Sequence, residues 1–330
     1  MLDVVWDMET GDPDDFLTLL FLLGHPDVNL KAVTVTPGTP DQVGVVRRAL
    51  EWFDRRIPVG AHNLDHLPPS SRAGDGPGVG RHGPRGVCVS SWHYKAYGDM
   101  PPSRDAVPGG ELLHAVCDDS TTLITGAPLK NLGAAMQRPG FRLGRLVAQG
   151  GFAGEGVVPP ALQLAKFRGK VTCPTYNLNG DPGSAVAALT HPGIVTRRFV
   201  AKNVCHGVVY DHDLHARVTA LTALSLSHRL IWKGMEEYLA KSKKRGARPA
   251  QSTGPAEPDG KKFHDPLAAC CAIDEGIGTW AEVELYRLRG EWGARLAPGS
   301  NTWIIVDHDR ERFLRTFLAH REDRHDGDGG

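Results

Sequence analysis

No stretch of this 330-residue chain is long and apolar enough for a membrane-spanning helix, which takes about 18–20 apolar residues in a row. The best run, Phe16 to Leu23, has eight residues and contains Thr18. No basic segment precedes an apolar stretch at the start, so no cleaved signal peptide is predicted. The six cysteines (Cys88, Cys117, Cys173, Cys205, Cys270 and Cys271) include no CxxC pair, and the adjacent Cys270 and Cys271 do not suit a zinc-finger spacing. This usage predicts reduced, mostly buried thiols in a cytoplasmic protein. Net charge is also lacking: 38 Lys and Arg balance 38 Asp and Glu. A protein that coats nucleic acid carries a basic excess, so neither a nucleic-acid polymer nor a membrane is expected as a partner. The chain has no internal repeat and no composition shift that marks a domain boundary.

What is present is globular. The chain is 41% hydrophobic and 23% charged, enough for a sizeable core, and its 39 Gly and 24 Pro imply many loops. Leu2 to Trp6 reads as a strand, Asp14 to Leu23 as a helix, Leu30 to Thr36 as a strand and Gln42 to Phe53 as a helix. The alternation continues, with strands predicted at Thr121–Thr125, Leu143–Gln149 and Ile194–Val200. Helices are predicted at Glu111–Cys117, Asn131–Gln137, Asp181–Leu189, most of Leu214–Leu239, Pro266–Asp274 and Glu311–His320. Late strands are expected at Trp280–Arg287 and Asn301–Val306. This order predicts a single α/β domain over residues 1–320, with an open, mostly parallel sheet flanked by helices. Two Gly/Pro-rich or basic loops, Gly60–Gly86 and Lys241–Lys262, interrupt it, and residues 321–330 read as a disordered tail.

The chemistry gathers where the first strand hands over to the first helix. Asp7, Glu9, Asp12, Asp14 and Asp15 fall within nine residues. In open α/β sheets the ligand crevice lies at the carboxyl ends of strands. A helix N-terminus explains one or two of these acids, but five in one place repel each other unless a cation or protons compensate. Hard oxygen donors at this density suit Ca²⁺ or Mg²⁺.

The run from Trp6 to Leu20, WDMETGDPDDFLTLL, resembles the opening signature DxDPGxDDAxAI of the inosine–uridine-type nucleoside hydrolases, with one residue inserted and Glu9 in place of the second Asp. Three further signatures follow in family order: LITGAPLKNL at Leu123–Leu132, Gln149-Gly150-Gly151 with TYNLNGDP at Thr175–Pro182, and FHDPLA at Phe263–Ala268.

The resemblance implies a Rossmann-like nucleoside hydrolase fold, a bound Ca²⁺ and N-ribosidic hydrolysis by a calcium-bound water. It implies metal ligands at Asp7, Glu9, Asp15, the Thr125 carbonyl and Asp265. It also implies Glu9, or alternatively Asp14, as the proton acceptor, and His264 as the acid for the leaving base. Asp14, Thr39, His93, Gln149, Thr175, Tyr176 and Asn177 are expected around the substrate, with Trp92, Tyr94 and Tyr97 available to stack on a base. The substrate is then a small nucleoside or nucleotide, and the protein a dimer or tetramer. Thr175 stands where the family has a Glu that contacts the 5′-hydroxyl, and this loss of a carboxylate favours a 5′-phosphate or other 5′ substituent. A non-catalytic ribonucleoside-binding protein and a metal-dependent nucleotidase are the alternatives. Lys241–Arg248, Lys261 and Lys262 read first as a solvated, disordered loop, and alternatively as a cationic rim over the acidic floor.

Overall fold

The computed structural model describes residues 1–65, 88–246 and 260–321, and the strand–helix alternation builds an eleven-stranded sheet. The first half runs β1 (Leu2–Met8), α1 (Pro13–Gly24), β2 (Val28–Val35), α2 (Pro40–Trp52), β3 (Val59–Ala61), α3 (Ser91–Tyr97), β4 (Val107–Pro108), α4 (Gly109–Val116), β5 (Thr122–Thr125), α5 (Lys130–Met136) and β6 (Leu143–Gln149). The second half adds β7 (Thr172–Cys173), α6 (Tyr176–Gly180), α7 (Pro182–Thr190), β8 (Ile194–Val200), α8 (Lys202–Cys205), β9 (Val209–Tyr210), α9 (His212–Leu221) and α10 (Leu226–Gly246). It closes with β10 (Lys261–Lys262), α11 (His264–Ile273), β11 (Gly278–Leu288), β12 (Glu291–Leu296), β13 (Thr302–His308) and α12 (Arg310–Leu318).

The sheet order is β4-β3-β2-β1-β5-β6-β8-β13-β11-β12-β7. Neighbours from β4 to β13 are parallel, and β13-β11-β12-β7 are antiparallel, so the mostly parallel α/β domain expected is the one observed. Two strands, β9 and β10, pair apart from it. No described helix is long and apolar enough to cross a membrane.

Parallel strands in the middle of such a sheet are covered on both faces, and Val4, Val5 and Trp6 of β1 are accordingly all buried. On one face lies α1, buried from Asp14 to Gly24. Beside it lies α11, buried from Asp265 to Ala272. The small side chains Ala268, Ala269, Cys270, Cys271 and Ala272 let α11 sit close to its neighbours. Two helices buried almost all round, with acids only in their first turns, put those acids deep in the molecule.

The late antiparallel part was only half foreseen. β12 follows β11 through Arg289 and Gly290, both with positive φ (50° and 84°). That is a two-residue hairpin without the Asn-Gly or Asp-Gly that would announce it. The mostly helical stretch expected over Leu214–Leu239 is two helices, α9 and α10. Most of the loop read at Gly60–Gly86, residues 247–259 of the second loop and the tail from 322 lie outside the described residues. The five thiols other than Cys88 are buried, and all six are free.

Candidate active site

Strand register makes the first contacts. β1 runs parallel between β2 and β5, which sets Asp7 level with Thr34 on one side and Thr125 on the other. The fully buried Asp7 carboxylate accepts from Thr34 Oγ1 (2.6 Å), Asn131 Nδ2 (2.9 Å) and Thr125 Oγ1 (3.1 Å). Burial pushes its pKa up to about 6 even with these three donors. Asp7, expected as a metal ligand, therefore has both carboxylate oxygens engaged by protein donors.

The acids that converge are Asp14, Asp15 and Asp265, each with a carboxylate oxygen within 4.8 Å of the others. Asp14 and Asp15 stand in the first turn of α1, and Asp265 in the first turn of α11. The two helix N-termini meet at Asp14, whose Oδ2 accepts from the backbone N–H of His264 (3.2 Å) and Asp265 (3.4 Å). Positive helix ends favour such a carboxylate. Asp15 Oδ1 accepts from the Glu9 N–H (3.0 Å), which brings the acidic turn over the cluster.

These carboxylates do not share the charge equally. Burial, then the charges of Asp265, Glu9 and Asp14, raise Asp15 well above the carboxylate range. Burial and Asp14 do the same to Asp265, against the pull of Lys261. Glu9 is pushed up to about 8 by burial, Asp12 and Asp14. Burial alone would also raise Asp14, but the Lys261 ammonium beside it holds it below its ordinary value. A clustered set of buried carboxylates that retain protons is the donor chemistry a hard divalent cation fits, since the cation supplies the charge the protons otherwise bring.

Lys261 is not on a rim. It is 4% exposed, and its Nζ sits 2.8 Å from Asp12 Oδ1, 3.0 Å from Asp14 Oδ1 and 2.8 Å from the Lys262 carbonyl. The pairing of β10 with β9 carries it there, and the acids outweigh the cost of burying its charge, so its pKa is raised. Only the charge pattern hinted at this residue, and it pointed to the surface.

The Thr125 turn closes the site from another side. Gly126 N–H donates to the Asp7 carbonyl (2.9 Å), and a Cβ at Gly126 would lie 2.6 Å from Asp265 Oδ1. A glycine is needed here for close approach. The Thr125 hydroxyl is spent on Asp7 Oδ2 and on the Ala127 carbonyl.

A cleft of about 630 Å³ opens beside the acids, with Glu9, Thr175, Tyr176, Lys130 and Lys202 in its wall. Tyr176 is 71% exposed, and its hydroxyl bonds the Glu9 carboxylate. The Thr175 hydroxyl oxygen is buried with no hydrogen-bond partner. Asn177 Nδ2 donates to Gln149 Oε1 (2.8 Å) and to its carbonyl (3.0 Å). Gln149 Nε2 in turn faces Cys205 Sγ at 3.5 Å. His264 Nδ1 lies 3.2 Å from the same sulfur, and burial with the nearby lysines Lys261, Lys262 and Lys202 pushes its pKa down to about 3.

Two expected pocket residues serve elsewhere. Thr39 caps α2: its hydroxyl accepts from Gln42 N–H (3.3 Å), and Gln42 Oε1 accepts from Thr39 N–H (3.1 Å). Thr36 and Pro37 reach the cleft instead. His93 is fully buried, with Nδ1 3.1 Å from Ser90 Oγ and its ring edge-on to Phe16. Trp92 Nε1 donates to the Gly234 carbonyl and Tyr97 to the Leu230 carbonyl, so α3 and its aromatics, Tyr94 packed with them, form core under α10. The signals missed were Lys261, the two cleft lysines and the Asn131–Thr34 pair that holds Asp7.

Comparison with known proteins agrees with this fold. A plant nucleoside hydrolase superposes with a TM-score of 0.68 at 19% identity, covering 97% of this chain and 99% of its own. A purine-preferring ribonucleoside hydrolase from Gardnerella vaginalis gives 0.66 at 16% identity over 96% and 97%. An uncharacterized protein from Aquifex aeolicus is 24% identical over 323 residues, 94% of this chain and 97% of that one. A family model described as inosine-uridine preferring nucleoside hydrolase matches residues 4–315. The chain therefore belongs to the inosine-uridine preferring nucleoside hydrolase family and is a hydrolase of N-glycosyl compounds.

Proposed function

We propose that the protein hydrolyses the N-glycosidic bond of ribonucleosides bearing an anionic 5′ group, releasing free base and a 5′-substituted ribose, with Ca²⁺ as its cofactor. The observation that carries this is the convergence of Asp14, Asp15 and Asp265 at the N-termini of α1 and α11 in a nucleoside hydrolase fold. Asp15 and Asp265 would hold the ion, with Glu9 and the Thr125 carbonyl as neighbouring donors. When bound, Ca²⁺ supplies a polarised, positioned water and a hold on the ribose hydroxyls.

The chain's own groups supply the rest. N-ribosidic cleavage develops positive charge on the sugar, so carboxylates beside it favour the transition state. Glu9, in the cleft wall, would accept the water's proton, and Asp14, held below its ordinary pKa by Lys261, would accept from a ribose hydroxyl. Asn177 and Gln149 brace each other for the sugar. His264 faces the leaving base; as a neutral ring at ordinary pH it serves by donating a hydrogen bond.

The 5′ reading is supported by three cleft residues. Thr175 offers a hydroxyl where a carboxylate would repel a phosphate, and Lys130 and Lys202 bring two positive charges to the same wall. The test is base release from a panel of ribonucleosides and their 5′-monophosphates in Ca²⁺, read by chromatography. Release from the monophosphates in preference to the nucleosides is expected. Release from nucleosides alone would remove the 5′ assignment. Tight binding without release would point to a binding protein, and phosphate release without base to a nucleotidase. The monophosphate preference should also collapse in Lys202→Ala.

A further inference from the structure

Next to the acid cluster lies a second group of metal-binding atoms, of which the hydrolase reading uses only His264. Cys205, His206 and His264 each place a ligand atom within 4.8 Å of the others. Chain geometry puts them together: Cys205 ends α8, His206 follows it, and the Phe263 N–H donates to the Val208 carbonyl (2.9 Å), which draws the start of α11 against this turn. The His206 and His264 rings are 4.7 Å apart, and His264 Nδ1 is 3.2 Å from Cys205 Sγ. His206 Nδ1 is buried without a hydrogen-bond partner, a costly state for an imidazole nitrogen. Both rings remain partly open to solvent, which provides an entry path.

We propose that Cys205, His206 and His264 form a site for a soft divalent cation of the zinc or cobalt type, separate from the hard Asp14–Asp15–Asp265 site. Thiolate and imidazole ligands select such ions, whereas Ca²⁺ takes oxygen donors. Three protein ligands leave a fourth tetrahedral position for water or a bound molecule. Binding is a ligand exchange: the metal–sulfur bond forms as the Cys205 S–H proton leaves to solvent, and nothing is oxidised or reduced. Lys202 and Lys262 stand nearby as opposing charge, which the thiolate and the carboxylates of Asp265 and Asp14 offset.

The test is titration of the reduced, full-length protein with Co²⁺ in excess Ca²⁺, so that the acid site is already filled. The readout is the near-ultraviolet cobalt–thiolate charge-transfer band, which carboxylate binding does not produce. A saturable band is expected, absent in Cys205→Ser and at least about tenfold weaker in apparent affinity in His206→Ala, since even outer partners of a metal site cost that much. Should Cys205→Ser fail to fold, His206→Ala carries the test, because its ring is partly exposed. No band, or undiminished affinity in either folded variant, overturns the proposal. The readout does not depend on hydrolysis, so a failure of the function proposed above leaves it standing.

Discussion

Replacing Lys261 with methionine keeps most of the buried stem and removes the charge that faces Asp12 and Asp14. Breaking a buried ion pair from one side costs roughly 3–5 kcal/mol, because the partner charge stays behind. Lys261→Met is therefore expected to melt well below the parent protein in chelator. Calcium should restore more stability to the variant than to the parent, since Asp14 then has no other cation. Thermal melts with and without Ca²⁺ measure both effects, and equal calcium gains in the two proteins would contradict the pairing. Asp265→Asn runs the other way. It removes one of the mutually repelling acids, so the variant is expected to be more stable than the parent in chelator. Its calcium affinity should fall by about 10–100-fold or more by calorimetry. The gain and the loss come from one carboxylate, whose charge costs stability until a cation meets it.

At the scale of elements, the site depends on close approach. Gly126 lies between β5 and α5, against Asp265 and the Trp6 ring. Gly126→Ala forces a methyl group into that contact, and overpacking of this kind costs about 1–3 kcal/mol. Because the atom displaced is a candidate ligand oxygen, calcium affinity should fall more steeply than stability does, as paired calorimetry and melts would show. The same scale decides what was legible in the sequence. β6 and β8 are readable to the residue and α5 to within one from apolar periodicity, and α1, α2 and α11 to within two because that periodicity agrees with the acidic or capping residues at their starts. The acids at Asp14, Asp15 and Asp265 were readable because few other uses explain them. Thr39 was not, since a threonine that caps a helix and one that lines a pocket look alike in one dimension. His93 lies in core, and its place is not legible for a related reason: an aromatic-rich segment reads equally well as a stacking platform and as core. Lys261 reads as solvent-facing because burying an ammonium needs partners 247 and 249 residues away, and no local pattern records them.

Over the whole molecule, pH acts on buried groups from both directions. His93 and His228 are buried and their pKa values are pushed down to about 4, mainly by desolvation. The unfolded chain takes up protons on these rings below about 6.5, and the folded chain does not until near 4. Stability from this source is present above about pH 6.5 and lost as pH falls towards 4, by up to roughly 3 kcal/mol for each ring. Asp15 and Asp265 have the opposite sense, since their folded pKa values are raised. In chelator they hold protons the unfolded chain has released, so their contribution declines as pH rises above the ordinary carboxylate range. Between about pH 4 and 6.5 the two rings and the two carboxylates oppose each other, and above about 6.5 only the carboxylate decline remains, so a melting-temperature profile in chelator should fall on its alkaline side, and Ca²⁺ should lift that side most. No decline between pH 6.5 and pH 8 would contradict the carboxylate assignment, and a full decline already under way from pH 4 would contradict the histidine one.

The meeting of α1 and α11 at Asp14 also has a consequence for biosynthesis. During translation Asp14 and Asp15 are made some 250 residues before Lys261 and Asp265. A nascent chain thus exposes the acids of α1 long before their counter-charge and third carboxylate exist. The counter-charge and third carboxylate are made late, with only β11, β12, β13 and α12 still to follow among the described elements, and any product that stops short of α11 carries the acidic turn without Asp265.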